Sequence, residues 1–115
     1  MVRHSEEKKV DVRQMFGGEG EIILNHILNG REEMYDKGRI FAHIVVRPGC
    51  VLGGHVHHGD GETYYILKGR GEYDDNGETV IVGPGDVCFV DAEEGHSIRC
   101  LGDEPLEFIA LVLFK

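Results

Sequence analysis

Tryptophan is absent from this 115-residue chain, proline and cysteine number three each, and basic residues are the minority among the charges. Twelve Lys+Arg stand against 21 Asp+Glu, a formal net charge of −9, with a pI of about 5.1. General nucleic-acid binding needs a basic patch that displaces phosphate counterions, and the sequence supplies none. Long apolar runs are missing too. The longest, ending at Phe114, falls far short of the roughly 20 residues that span a bilayer as a helix. The first nine positions hold Arg3, Glu6, Glu7, Lys8 and Lys9 in place of the apolar stretch of a secretion signal. These absences predict a soluble cytoplasmic protein with no nucleic-acid and no membrane partner. Cys50, Cys88 and Cys100 lack C-x-x-C spacing and are odd in number. They read as reduced thiols, neither a disulfide framework nor a Cys-rich zinc site.

Glycine is what the chain has in excess: 17 residues, about twice the usual ~7% share. Scattered without a period, these glycines predict many tight turns, as all-β architectures require. A hydrophobic content of 41% supplies a core, and a chain this short is read as one domain. Residues 1–19 form an N-terminal arm or edge strand, with Val10 and Val12 alternating with Asp11 and Arg13 and a glycine-rich turn at 16–20. Residues 20–115 form the single barrel domain. Its strands are expected at 21–28, 39–47, 55–58, 62–68, 72–74, 78–82, 87–90, 96–101 and 106–114, with a helical turn at 31–37 ended by Gly38. Strand 39–47 reads as apolar on both faces. Asn76-Gly77 is the strongest short hairpin signal. Eight to ten antiparallel strands at this spacing indicate a sandwich or barrel, and a double-sheet jelly roll fits best.

Four of the seven histidines are His55, His57, His58 and His96. On a strand, His55 and His57 point to one face with α-carbons about 6.6 Å apart, a span that two imidazoles close around one ion. Glu62 opens the next strand after a short turn. Imidazole and carboxylate together suit one divalent transition metal: Mn, Fe, Ni, Co, Cu or Zn. His58 is the rival ligand, but its parity sets it opposite His57. Tyr64 and Ile66 share the face of Glu62, and Ile98 and Cys100 share that of His96. Tyr64 either donates to a ligand or carboxylate, or sits as a half-buried barrel tyrosine bonded to a carbonyl or water. His26 and His43 lie in apolar strands and read as core histidines bonded to backbone carbonyls. Arg39 and Arg47 flank one strand and are either partners of an anionic ligand or surface ion pairs. Glu93 and Glu94, just before His96, lie near the expected mouth and disfavour bulky anions.

From Gly49 to Gly69 the sequence reads G-x5-H-x-H-x4-E-x6-G and resembles the first signature of the cupin superfamily at every fixed position. The second signature, G-x5-P-x-G-x2-H-x3-N, is present in outline. Gly85 and His96 match it, while Asp91, Glu93 and Cys100 stand where proline, glycine and asparagine are expected. The resemblance implies a double-stranded β-helix that binds one divalent transition metal through His55, His57, Glu62 and His96. It also implies a homodimer, and the exposed edges of a small jelly roll agree, since residues near 10–13 offer a strand to a neighbour's edge. A six-coordinate ion held by four residues keeps two positions for water or a small molecule. Two functions follow. One is a metal-dependent oxygenase, isomerase, epimerase or decarboxylase acting on an oxygen-rich small molecule. The other is a non-catalytic, metal-dependent module that binds a sugar or carboxylate.

Overall fold

In a computed structural model of the chain, which describes residues 1–14, 18 and 20–115, the alternating apolar pattern folds into ten antiparallel strands. They are β1 Val10–Arg13, β2 Ile22–Leu28, β3 Gly38–Val46, β4 Val51–Val56, β5 Asp60–Lys68, β6 Arg70–Asp75, β7 Glu78–Val82, β8 Val87–Val90, β9 Gly95–Leu101 and β10 Leu106–Phe114. Six form one sheet in the order β1-β2-β3-β10-β5-β8, and four form the other in the order β4-β9-β6-β7. The glycine-rich turn at 16–20 falls largely outside the described residues.

Period-two alternation decides which face each strand buries. Along β10, Leu106, Phe108, Ala110 and Val112 are buried, while Glu107, Ile109 and Leu111 are only half covered. The same rule sends Leu24, Ile44, Tyr64 and Phe108 of the six-stranded sheet against Leu52, Tyr73 and Ile98 of the four-stranded one in a single core. Strand β3 carries apolar residues on both faces, and only one is fully buried: Ala42, Ile44 and Val46 face inward, and Phe41, His43 and Val45 are half-buried on the outside. Asn76 and Gly77, both at positive φ (51° and 99°), make the tight β6–β7 turn, since a two-residue hairpin loop of this type needs left-handed backbone at both positions.

Two expectations about local structure fail. Residues 31–37 contain no helix. Tyr35 and Asp36 take φ of 55° and 56°, so the amide of Lys37 returns to Met34 and that of Asp36 to Arg31, and the segment stays a run of turns before β3. The histidine-bearing strand also ends early. It covers Val51–Val56, and His57 and His58 lie beyond it in the turn to β5, which begins at Asp60 rather than Glu62. The arm strand β1 covers the edge of the chain's own β2, with Val10 opposite Asn25 and Arg13 opposite Ile22. Among the described residues no helix is long and apolar enough to cross a membrane.

Packing at the sheet interface predicts where stability resides. Phe108 is fully buried with its ring 4.3 Å from that of Tyr64, so Phe108→Ala is expected to cost about 3–5 kcal/mol in urea denaturation. Val2, 77% exposed, should change stability by about 0.5 kcal/mol or less when replaced by alanine.

Candidate metal centre

Each candidate donor reaches the barrel interior by a different device. Glu62 and Tyr64 alternate with Asp60 on the inner face of β5, and all three are buried. His96 takes the same face of β9 as Ile98 and Cys100. His55 depends on an irregularity. Leu52 pairs with Ile98 and His55 with His96, three steps on β4 against two on β9. This bulge at Gly53-Gly54 re-aims the strand, so that Leu52 and His55, three apart, both face inward. His57, past the strand end, is fixed by its amide, which donates to the Glu94 carbonyl at 3.1 Å.

The four side chains converge. Nε2 of His55 lies 3.1 Å from Nε2 of His57 and 3.0 Å from that of His96, and the remaining pair is 3.1 Å apart. Glu62 Oε1 is 3.0 Å from His57, 3.1 Å from His96 and 3.8 Å from His55. The opposite nitrogens are committed elsewhere. His55 Nδ1 lies 3.0 Å from the Gly53 carbonyl and His57 Nδ1 2.6 Å from Asp60 Oδ1. Both partners only accept, which puts the proton on Nδ1 and leaves a lone pair on each Nε2. His96 Nδ1 is 2.8 Å from the Tyr73 hydroxyl.

Lone pairs and a carboxylate gathered this closely fit a cation. Metal–nitrogen bonds of 2.0–2.1 Å set neighbouring vertices of an octahedron about 2.8–3.0 Å apart and opposite ones about 4.1 Å. Five of the six separations here match neighbours, and the 3.8 Å between Glu62 and His55 approaches opposition. The electrostatics agree. Burial pushes the Glu62 carboxyl toward the neutral acid, but the surrounding imidazoles of His55, His57 and His96 outweigh it and hold the group ionised well below the usual range. The Glu62 carboxylate, aided by Asp60, raises the pKa of His57 against the opposing effect of burial. Burial lowers that of His96.

Other sequence-predicted residues separate from this cluster. His58 is exposed and bonds Glu93 at 2.9 Å, which removes it as a rival ligand. His26 is buried but meets the Asp11 carboxylate at 2.7 Å, not a backbone carbonyl. His43 faces outward to Glu107 at 2.8 Å. Glu93 lines a cavity of about 280 Å³ together with His55 and His96, and its carboxylate ties down His58 and the Gly59 amide, whereas Glu94 anchors His57 through its backbone carbonyl. Arg47 is exposed. Arg39 belongs to the site, because Val112 pairs with Ile40 and Leu113 with Gly38. The skipped Arg39 turns to bond Asp60 at 2.8 Å.

Sequence reading missed three supports. Asp60, Tyr73 and the Gly53 carbonyl orient the histidines through Nδ1, the role that outer partners play at metal sites. Asp60 alone carried a local signal, as an acidic residue two before Glu62 on the same face. A cavity of about 130 Å³ adjoins the donors and is lined by Arg13, Arg39, Tyr64, Leu24, Ile44 and Val112 among others. The Tyr64 hydroxyl is buried with no hydrogen-bond partner among the described residues. Burial and the nearby Glu62 charge keep it protonated, with a pKa well above the ordinary phenol value.

Comparison with known proteins matches the family model "Cupin domain" to residues 42–113. An oxalate-binding protein of Thermotoga maritima is 43% identical over 113 residues, covering 98% of this chain and 93% of that protein. A crystal structure described as a predicted oxalate decarboxylase, also from Thermotoga maritima, superposes with a TM-score of 0.93 at 42% identity over 100% of both chains. The cupin domain of a Schizosaccharomyces pombe protein shares the fold at 14% identity and a TM-score of 0.74, covering 92% of this chain and 65% of that one.

The outer contacts yield a test of the centre. Asp60→Asn should weaken cobalt(II) binding about 10–100-fold in competition with a chromophoric chelator, and Tyr73→Phe should weaken it by less. Because His57 holds its second proton more tightly than an ordinary histidine, metal must displace it. Affinity should therefore begin to fall above about pH 6.5, the ordinary histidine value, and keep falling as the pH is lowered, with proton release on binding.

Proposed function

The chain belongs to the cupin family, and from that premise we propose that it captures a small, oxygen-rich carboxylate on one divalent transition metal held by His55, His57, Glu62 and His96. The convergence of three imidazole Nε2 atoms and one carboxylate beside a small cationic cavity carries this reading. Four donors leave a six-coordinate ion two open positions. A bound ion supplies Lewis-acid attraction for ligand oxygens there. The cavity, about 130 Å³, is below the ~300–1,000 Å³ of clefts that take drug-sized molecules, which favours a two- or three-carbon acid over a sugar phosphate. Arg13 and Arg39 on its wall favour an anion, and the Tyr64 hydroxyl supplies a donor. Oxalate meets these demands, in keeping with the name of the Thermotoga maritima relative.

Capture is favoured over turnover by the proton inventory of the wall. Among the described residues lining the cavity, the carboxylate of Glu62 is part of the donor set and Tyr64 retains its proton. Asp60, next to them, is tied to Arg39 and His57. No uncommitted carboxylate is left to serve as general acid or base.

A second copy of the chain is the proposed macromolecular partner, in the cytoplasm. Tyr65, Val87, Phe89 and Leu113 expose 48%, 64%, 59% and 49% of their surface on the outer face of β5, β8 and β10, and an apolar sheet face of this kind suits an isologous contact. Sedimentation equilibrium should show a dimer at micromolar concentration. A 12.8 kDa species alone would contradict it.

Cobalt(II)-loaded protein, carrying one ion per chain, should change its visible spectrum saturably on addition of oxalate, without release of formate or carbon dioxide. Release of formate would replace capture by decarboxylation. Stoichiometric metal retained in His55→Ala/His57→Ala would overturn the ligand assignment.

A further inference from the structure

Strand β1 is inside out. Arg13 pairs with Ile22 and Asp11 with Leu24, and both β2 partners are buried in the core. The two charged residues of the Val-Asp-Val-Arg strand therefore turn toward the barrel, while Val10 and Val12, 50% and 55% exposed, turn to solvent. Burial of apolar surface selects the opposite arrangement. A strand that forgoes it to send an ion pair inward has another use for those side chains.

The bonds show what that use is. Asp11 Oδ2 is held by His26 Nε2 at 2.7 Å and by Arg13 Nη2 at 3.0 Å, so one carboxylate oxygen latches β1 to β2 and steadies the guanidinium. Of the five N–H donors of Arg13, one is used in this contact among the described residues. The side chain is 49% exposed and lines the cavity that His55, His57, Glu62 and Tyr64 also line. Arg39 differs, because its Nε is spent on Asp60, which in turn holds His57.

We propose that Arg13 is a specificity-determining residue: β1 carries its guanidinium to the metal cavity, where it holds the oxygens of a small dicarboxylate that the metal leaves free. This rests on the capture reading above and adds the charge class of the ligand and the segment that selects it. A planar fork of donors matches two carboxylate oxygens, and its unit charge favours a dianion over a neutral or singly charged analogue of the same shape. Ligand and arm are then coupled. An occupied cavity holds β1 in place, and a displaced β1 removes a binding group.

Isothermal titration of the cobalt(II)-loaded full chain with oxalate and with oxamate, its singly charged isostere, tests this. Wild type should prefer oxalate. Arg13→Gln should weaken oxalate by about tenfold or more while leaving oxamate within about twofold, at unchanged cobalt content, and Arg13→Lys should recover part of the loss. Adding oxalate should also slow amide exchange at β1 in wild type and much less so in Arg13→Gln. Equal weakening of both ligands, or undiminished oxalate binding in Arg13→Gln, would overturn the role of Arg13 and leave the capture reading standing. If wild type binds neither ligand, the capture reading falls and the role of Arg13 falls with it.

Discussion

Three imidazole nitrogens and a carboxylate oxygen held about 3 Å apart repel one another unless a positive charge lies among them, and much of the molecule serves to hold that repulsion in place. Each histidine is pinned through its far nitrogen by the Gly53 carbonyl, Asp60 or Tyr73. Those partners are pinned in turn, Asp60 by Arg39 and Gly53 by the bulge in β4. A proton on His57 is the minimal substitute for the missing charge, which is why Glu62 and Asp60 raise its pKa. Packing behind the site, with the Tyr64 ring stacked 5.1 Å from His96 and resting on Phe108, keeps the donors from relaxing apart.

The division of labour between the sheets follows from this demand. The four-stranded sheet contributes His55 and His96 as a directly facing pair together with Tyr73. The six-stranded sheet contributes Asp60, Glu62 and Tyr64 from alternate positions of one strand. The centre therefore exists only when both sheets are stacked, and the apolar core beneath them does the stacking. The same stacking reconciles a charge of −9 with a cavity walled by two arginines. Composition reports the solvated surface, and the few cations that matter are placed by a bulge in β3 and an inverted strand at the sheet edge.

What the sequence makes legible is whatever depends on spacing along the chain. The G-x5-H-x-H-x4-E-x6-G run marks three of the donors because they lie within eight residues of one another, and alternation alone assigns Tyr64 and Ile98 to the inner face. Parity also sets His58 aside correctly. It is less sound for His57, which sits beyond the strand end and is held by Glu94 rather than by a ladder. Residues that act across strands are invisible to this reading. Tyr73 reaches His96 from a neighbouring strand, and Arg39 reaches Asp60 because one β3 residue is skipped in pairing. Arg13 enters the cavity because β1 joins its own sheet inside out. The turn at 31–37 misled for a different reason: left-handed backbone at Tyr35 and Asp36 leaves no mark in helix propensity.

Anomalous diffraction from crystals of the cobalt-loaded protein, recorded on both sides of the metal edge, bears most directly on the account. It predicts one peak per chain, about 2.0–2.2 Å from Nε2 of His55, His57 and His96 and from a Glu62 carboxylate oxygen, with two neighbouring positions facing the cavity free of protein donors. A peak bound through Nδ1, a peak that recruits His58, or an ion closed on all sides by protein ligands would contradict it.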